Sequence, residues 1–174
     1  MNFGFTPSTQ KEEVFNKLGA YLDSLGIKVT VIDNQRPWGG FLVIDEASTD
    51  TFIAQFFPSV DKKDVTKFGD KLTPKILIVE SGEELSWQYH YRRAELWSCV
   101  DGPVGYKRSM NDERPETLVL QPGEFVQFNP GERHTGVGLK NWGIIAEFWQ
   151  HTDANQPSDD DDIVRLEDKY GRAA

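Results

Sequence analysis

The chain has 174 residues, of which 38% are hydrophobic and 27% charged, a length suited to one domain and a composition that excludes a helical membrane protein and a wholly disordered chain. Nineteen Lys and Arg stand against 28 Asp and Glu, and a net charge of −9 argues against nucleic-acid or anionic-membrane partners, whose affinity rests on neutralising phosphate. Cys99 is the single cysteine, which excludes an internal disulfide. With no basic-then-apolar leader and no apolar run of about 18 residues, the expected setting is the cytoplasm.

Thr9 and Glu12 form a capping-box pattern ahead of an apolar stripe at Val14, Phe15, Leu18, Leu22 and Leu25, and Gly26 follows as a stop, so a helix is predicted over residues 9–25. A short second helix is predicted at 50–57, where Phe52, Ile53, Phe56 and Phe57 share a face and Pro58 ends the run. The segment 58–73 is polar and reads as a surface loop. Apolar or alternating runs at 28–33, 40–45, 74–80, 85–92, 94–100, 104–109, 117–120, 124–129 and 143–150 read as strands, divided by Gly- and Pro-rich turns. Many short, closely spaced strands predict a sandwich or barrel. From residue 152 the chain is polar and acidic, and Asp159 to Asp162 form a charge run. Trp38, Trp87 and Trp97 read as core or wall residues, Cys99 as packed and inert, and His151 as a surface residue. Glu83, Glu84, Asp112 and Glu113 read as solvated turn charges.

Three histidines are present, and the segment from Gln88 to Glu95 is the most informative. In a strand, Gln88 and His90 point to one face. Glu95 follows a turn at residues 92–94, on a strand that can pair back beside the first, and His134 follows a Pro-Gly turn that can return it to the same wall. An amide oxygen, two imidazoles and a carboxylate suit Zn, Mn, Fe, Co or Ni. Taken alone, His90 and His134 would read as partly buried residues bonded to backbone; the spacing favours ligands.

That spacing resembles the two cupin motifs. Gly82, five residues, Gln88, one residue, His90, four residues, Glu95, six residues and Gly102 are similar to the first, with Gln in place of its first His. Gly123 through Phe128, Asn129, Pro130, Gly131 and His134 are similar to the second. The resemblance implies a mainly β, double-stranded β-helix, a jelly-roll-like barrel, with a short helical N-terminal extension. The expected organisation is one domain over 1–174, with the barrel at 36–150 and an acidic tail at 151–174.

A narrower resemblance is carried by Arg36-Pro37-Trp38-Gly39-Gly40, by Leu85 to His90, by Arg93-Ala94-Glu95 with Trp97, and by the run from Asp161 to Arg172. These look like the type II mannose-6-phosphate isomerase family, which includes the C-terminal domain of bifunctional enzymes that also make GDP-mannose. The resemblance implies a metal-dependent aldose–ketose isomerase acting on a sugar phosphate, with one divalent ion on Gln88, His90, Glu95 and His134. It also implies that 161–172 packs on the barrel, since Ile163, Val164, Leu166 and Tyr170 recur at near-helical spacing. Tyr91, Arg92 and Leu96 replace histidines common in that family, and Thr135 stands where an Arg usually follows the last ligand.

Isomerisation through a cis-enediol needs a base near the ion. Glu95 and Glu147 are the candidates, Glu147 being an unusual charge in the strand Ile144 to Trp149 that faces either inward or to solvent. For the phosphate, Arg92, Arg93, Lys107, Arg108 and Arg133 are nearest in sequence, and Arg92 is expected on the His90 face, replacing the cation absent at Thr135. Alternative readings are an isomerase or epimerase of a heptose phosphate or free pentose, a non-catalytic sugar-binding cupin, and an iron dioxygenase. The expected partner is a small sugar or sugar phosphate, and a homodimer is compatible with the sequence.

Overall fold

The computed structural model describes residues 2–172, so positions 173 and 174 of the expected tail lie outside the described residues. Helix α1 runs Lys11–Ser24 and buries Val14, Phe15, Leu18 and Leu22. Its N-cap is Gln10 with no side-chain cap, and Thr9 Oγ1 accepts instead from the Thr6 amide, so the predicted capping box does not form. Gly26, at φ 71°, ends the helix, and the Gly26 and Ile27 amides donate back to the Asp23 and Leu22 carbonyls. This is the paired closure that favours glycine at that position.

The strands are β1 Val29–Asp33, β2 Gly39–Ile44, β3 Lys75–Val79, β4 Trp87–His90, β5 Arg93–Asp101, β6 Val104–Ser109, β7 Leu118–Leu120, β8 Phe125–Phe128, β9 Arg133–Gly138, β10 Gly143–His151 and β11 Ile163–Glu167. They pair antiparallel in two sheets, β1-β2-β3-β10-β5-β8 and β11-β4-β9-β6-β7. Between β2 and β3 lie α2, Thr49–Phe56, and a single helical turn α3, Lys62–Val65. The segment expected as a surface loop therefore holds α3 and buries Val65 and Leu72. The tail's apolar residues recur in β11, not in a helix, because Ile163 to Glu167 complete the sheet edge beside β4.

One hydrophobic cluster joins α1 and α2 to Leu42, Ile44, Ile76, Ile78, Leu96, Ile144, Ala146 and Phe148. The helices thus cover the outer face of the six-stranded sheet. A second cluster, including Leu77, Val79, Trp97, Phe128 and Ile145, fills the space between the sheets. Both faces of β10 are covered and all nine of its residues are buried, which explains its continuous apolar character. Alternation then sends Ile144, Ala146 and Phe148 to the helices and Ile145, Glu147 and Trp149 to the interior. Gly138 lets β9 lie against the preceding turn: a Cβ there would stand 1.9 Å from the Glu80 carbonyl oxygen.

Candidate metal centre and its cavity

β4, β5 and β9 bring His90, Glu95 and His134 together, with one ligand atom from each within 4.8 Å of the others. All three are buried. His90 Nε2 lies 3.0 Å from Glu95 Oε1, and His134 Nε2 lies 3.1 Å from Glu95 Oε2. Gln88 pairs in register with His134, and its Oε1 accepts from Ser86 Oγ at 2.6 Å.

The hydrogen bonding of His134 identifies which nitrogen is available. Its Nδ1 lies 2.9 Å from the Glu132 carbonyl oxygen and donates there, which leaves Nε2 as the nitrogen that faces Glu95 and that, without a proton, offers a lone pair. That lone pair faces a carboxylate oxygen, which is also an acceptor. Two acceptors in contact at a buried site call for a cation between them, a proton or a metal ion, and two imidazoles with a carboxylate are the donor set that first-row transition ions take. The residues fit a metal ion. Burial, opposed by Glu95, lowers the His90 pKa to about 4, which keeps that ring neutral and able to ligate. Burial alone would raise the Glu95 pKa, but the attraction of the two imidazoles in their protonated forms and of the fixed Arg93 charge outweighs it and holds the carboxyl well below its ordinary value.

Arg93 braces this cluster. Its side chain is 2% exposed; Nε donates to Glu95 Oε1 at 2.8 Å, and Nη2 lies 3.2 Å from His90 Nε2. Nη1 donates to Ser158 Oγ at 2.8 Å and to the Asp159 carbonyl at 3.1 Å, which ties the C-terminal segment to the site. Arg92 does not share the His90 face as alternation predicts. β4 ends at His90 and the chain bends at residues 91 and 92, so the period of two is broken there. The Arg92 side chain turns to the Pro157 carbonyl and to Asp159 and Asp162. Arg108 pairs with Glu132 and Arg133 with Asp112, leaving Arg93 as the one expected phosphate cation that lines the cavity beside the cluster.

That cavity, of about 150 Å³, is walled by Gln88, Glu95, Glu147, Trp149, Leu77 and Leu85, among others. Glu147 faces inward, 4% exposed, and its Oε1 accepts from Trp97 Nε1 at 2.9 Å. The same N–H lies 3.2 Å from Glu95 Oε2, so one indole links the two carboxylates. Burial, then the Glu95 charge, raises the Glu147 pKa to about 8 against the opposing pull of Lys75 and Arg93. Lys75 sits opposite Glu147 in the β3–β10 register and lies over the Trp149 ring at 3.7 Å. Its pKa is lowered by burial, with Glu147 opposing. Sequence reasoning passed over Lys75; a lone cation opening an apolar strand was the available signal.

His151 is buried, not on the surface: Nδ1 accepts from the Ser158 amide at 2.9 Å, and Nε2 lies 3.2 Å from Thr73 Oγ1. The tail covers it. Of the acidic turn residues expected to be solvated, Glu84 pairs with Arg114, and Glu83 pairs with Lys169 and accepts from the Tyr170 hydroxyl.

Two facing antiparallel sheets with a buried His-Glu-His cluster able to hold a metal between them define a cupin. More narrowly, residues 53–168 match the family described as mannose-6-phosphate isomerase C-terminal, and the chain belongs to that family. It is 36% identical over 111 residues to a mannose-1-phosphate guanylyltransferase of Salmonella montevideo, covering 64% of this chain and 22% of that protein. It is 29% identical over 137 residues to the xanthan biosynthesis protein XanB of Xanthomonas campestris, covering 79% of this chain and 23% of that protein. The chain thus spans less than a quarter of the length of these relatives. Among solved structures, the capsular polysaccharide assembling protein CapF of Staphylococcus aureus superposes with a TM-score of 0.52 at 16% identity, over 90% of this chain and 37% of that one, a likeness of fold. Among the described residues, no helix is long and apolar enough to cross a membrane.

Proposed function

We propose that this chain is a metal-dependent aldose–ketose isomerase of a sugar phosphate, of the mannose-6-phosphate isomerase kind. His90, Glu95 and His134, with Gln88 beside them, would hold one divalent ion of Zn, Mn, Co, Ni or Fe. The observation that carries the reading is the meeting of the His134 Nε2 lone pair with Glu95 at a buried cluster, next to a cavity holding a second inward carboxylate. Membership of the isomerase family supports the substrate class.

When bound, the ion supplies Lewis acidity to the substrate's carbonyl and hydroxyl oxygens. Arg93 holds Glu95 and His90 in place through its guanidinium. Glu147 is the base of choice: Glu95 has both oxygens committed to the cluster, whereas Glu147 accepts one N–H from Trp97 and lines the cavity. In this reading Glu147 takes the proton from the carbon beside the carbonyl and returns it to the neighbouring carbon of the cis-enediol.

The test has two parts. Metal analysis of the purified protein should find about one transition ion per chain, lost in His90→Ala and His134→Ala. A ketose assay over a panel of aldose phosphates should find turnover that chelation abolishes and that Glu147→Gln lowers by about 10²–10⁴-fold. Metal-replete protein that converts no sugar phosphate in the panel would overturn the reading in favour of a sugar-binding cupin.

A further inference from the structure

The cavity changes character from floor to mouth. At the floor, the side chain of Glu95 is 2% exposed. Toward solvent, Arg172 and Arg36 line the same cavity at 24% and 41% exposure. Between these levels lies Arg165, opposite Gln88 in the β11–β4 register, which puts the two side chains on one face of the sheet. The lining as a whole carries five cationic residues against three acidic ones, in a protein whose net charge is −9. Asp33 and Asp168, which pair with Arg36 and Arg172 from outside the lining, balance that count, so the mark of an anion site is the unused hydrogen-bonding capacity of these arginines and not net charge.

Two donors at this end lack acceptors. Trp38, 5% exposed, lines the cavity, and its Nε1–H has no protein partner. Arg172 Nε is held by Asp168 at 2.6 Å, but its buried Nη2 has no protein partner. Arg36 is likewise held through Nε, by Asp33 at 2.8 Å. Each of these pairs fixes its guanidinium by the inner nitrogen and leaves the outer fork to other acceptors. A buried donor with no acceptor is costly, so these groups match a ligand that brings several acceptor oxygens. The arginines also crowd one another: the Arg165 pKa is lowered by burial and by the Arg172 and Arg36 charges, against Asp168 and Asp160.

We infer that Arg36, Arg165 and Arg172, with the Trp38 N–H, form a subsite for the phosphate monoester of the sugar. Three guanidiniums suit a dianion with three terminal oxygens, which planar forks bind bidentately. The assignment rests on the isomerase reading for the identity of the sugar end, and it replaces Arg92 in the phosphate role. It also gives the C-terminal segment a function, since two of the three arginines belong to it.

The test is a binding titration of metal-loaded protein with mannose 6-phosphate, mannose and glucuronate, so that it does not depend on turnover. Wild type should bind mannose 6-phosphate at least about tenfold more tightly than mannose or glucuronate. Arg36→Met and Arg172→Met, at partly exposed positions, should each lower the affinity for mannose 6-phosphate by about tenfold and leave that for mannose unchanged. Arg165→Met removes a partly buried group and risks the fold; Arg165→Lys keeps the charge, loses the fork and should give a smaller loss. Equal affinity for mannose and its phosphate overturns the subsite, as does a ratio that survives both methionine variants. Glucuronate binding as tightly as the phosphate overturns it in favour of a carboxylate site. The expected ratios without ketose formation would leave the subsite standing and remove the isomerase reading; turnover with unaltered ratios would do the reverse.

Discussion

Removing Arg93 should be the most damaging single change at the candidate metal centre, more for the fold than its distance from the core clusters suggests. Arg93→Met keeps much of the side-chain volume while deleting a bond to Glu95, two to the C-terminal segment, a contact with His90, and the guanidinium lying 3.6 Å over the Trp149 ring. The dominant effect is on Glu95, whose carboxylate is buried and would lose its nearest fixed cation. Breaking a buried pair from one side destabilises by about 3–5 kcal/mol. For a chain of this length that lowers Tm by about 6–20 °C. Urea unfolding of chelator-treated protein, followed by tryptophan fluorescence, measures the loss. Two further arms test the cause. Adding Glu95→Gln to Arg93→Met should restore part of the stability by removing the stranded charge, with a coupling of about 1–3 kcal/mol. Hydrogen exchange should show faster opening of residues 158–162, which Arg93 tethers. A loss below about 1 kcal/mol, or double-variant losses that simply add, would refute the account of Arg93 as the brace of the cluster.

The remaining predictions concern groups outside the reaction. Gly138→Ala should destabilise by about 2 kcal/mol or more, because its Cβ would meet the Glu80 carbonyl oxygen at 1.9 Å, while Gly19→Ala, with open space inside α1, should stabilise by about 0.5–1 kcal/mol; paired denaturation curves check both. Burial pushes the Cys99 thiol pKa up to about 12, so a thiol reagent at pH 8 should label denatured but not native protein. Burial, then the charges of Lys71, Arg93 and Arg92, lowers the His151 pKa to about 4 against an unfolded value of 6.5. The unfolded state therefore binds more protons between these values, and the stability present above pH 6.5 falls as pH drops toward 4. His151→Gln should flatten this part of the pH–stability curve by about 1–3 kcal/mol, and an unchanged slope would refute the burial argument.

Nine of the strand positions and the grouping of Gln88, His90, Glu95 and His134 were legible in the sequence from alternation within each run, Gly and Pro between runs, and fixed spacing within a motif; β9, which carries His134, and β11 were not among the predicted strands. Legibility ended wherever a side chain's direction depended on a distant element. Alternation made Glu147 share a face with Ile145 and Trp149, but only the packing of α1 and α2 on the other face of β10 turns that carboxylate inward. Arg92 and Arg93 are adjacent cations in sequence; the bend after His90 sends the first to the tail and the second into the site. His151 is isolated by sequence and buried by the segment that returns over it. The tail's apolar spacing suited a helix, yet the open edge of β4 offered backbone partners that a helix could not use, and Ile163 to Glu167 took them as a strand. By itself, then, the sequence determined which residues alternate, turn and cluster along the chain. Tertiary structure alone decided which face is inside, which arginine meets Glu95, and that Arg36, Arg165 and Arg172 line one cavity, because those outcomes depend on contacts between segments far apart in sequence.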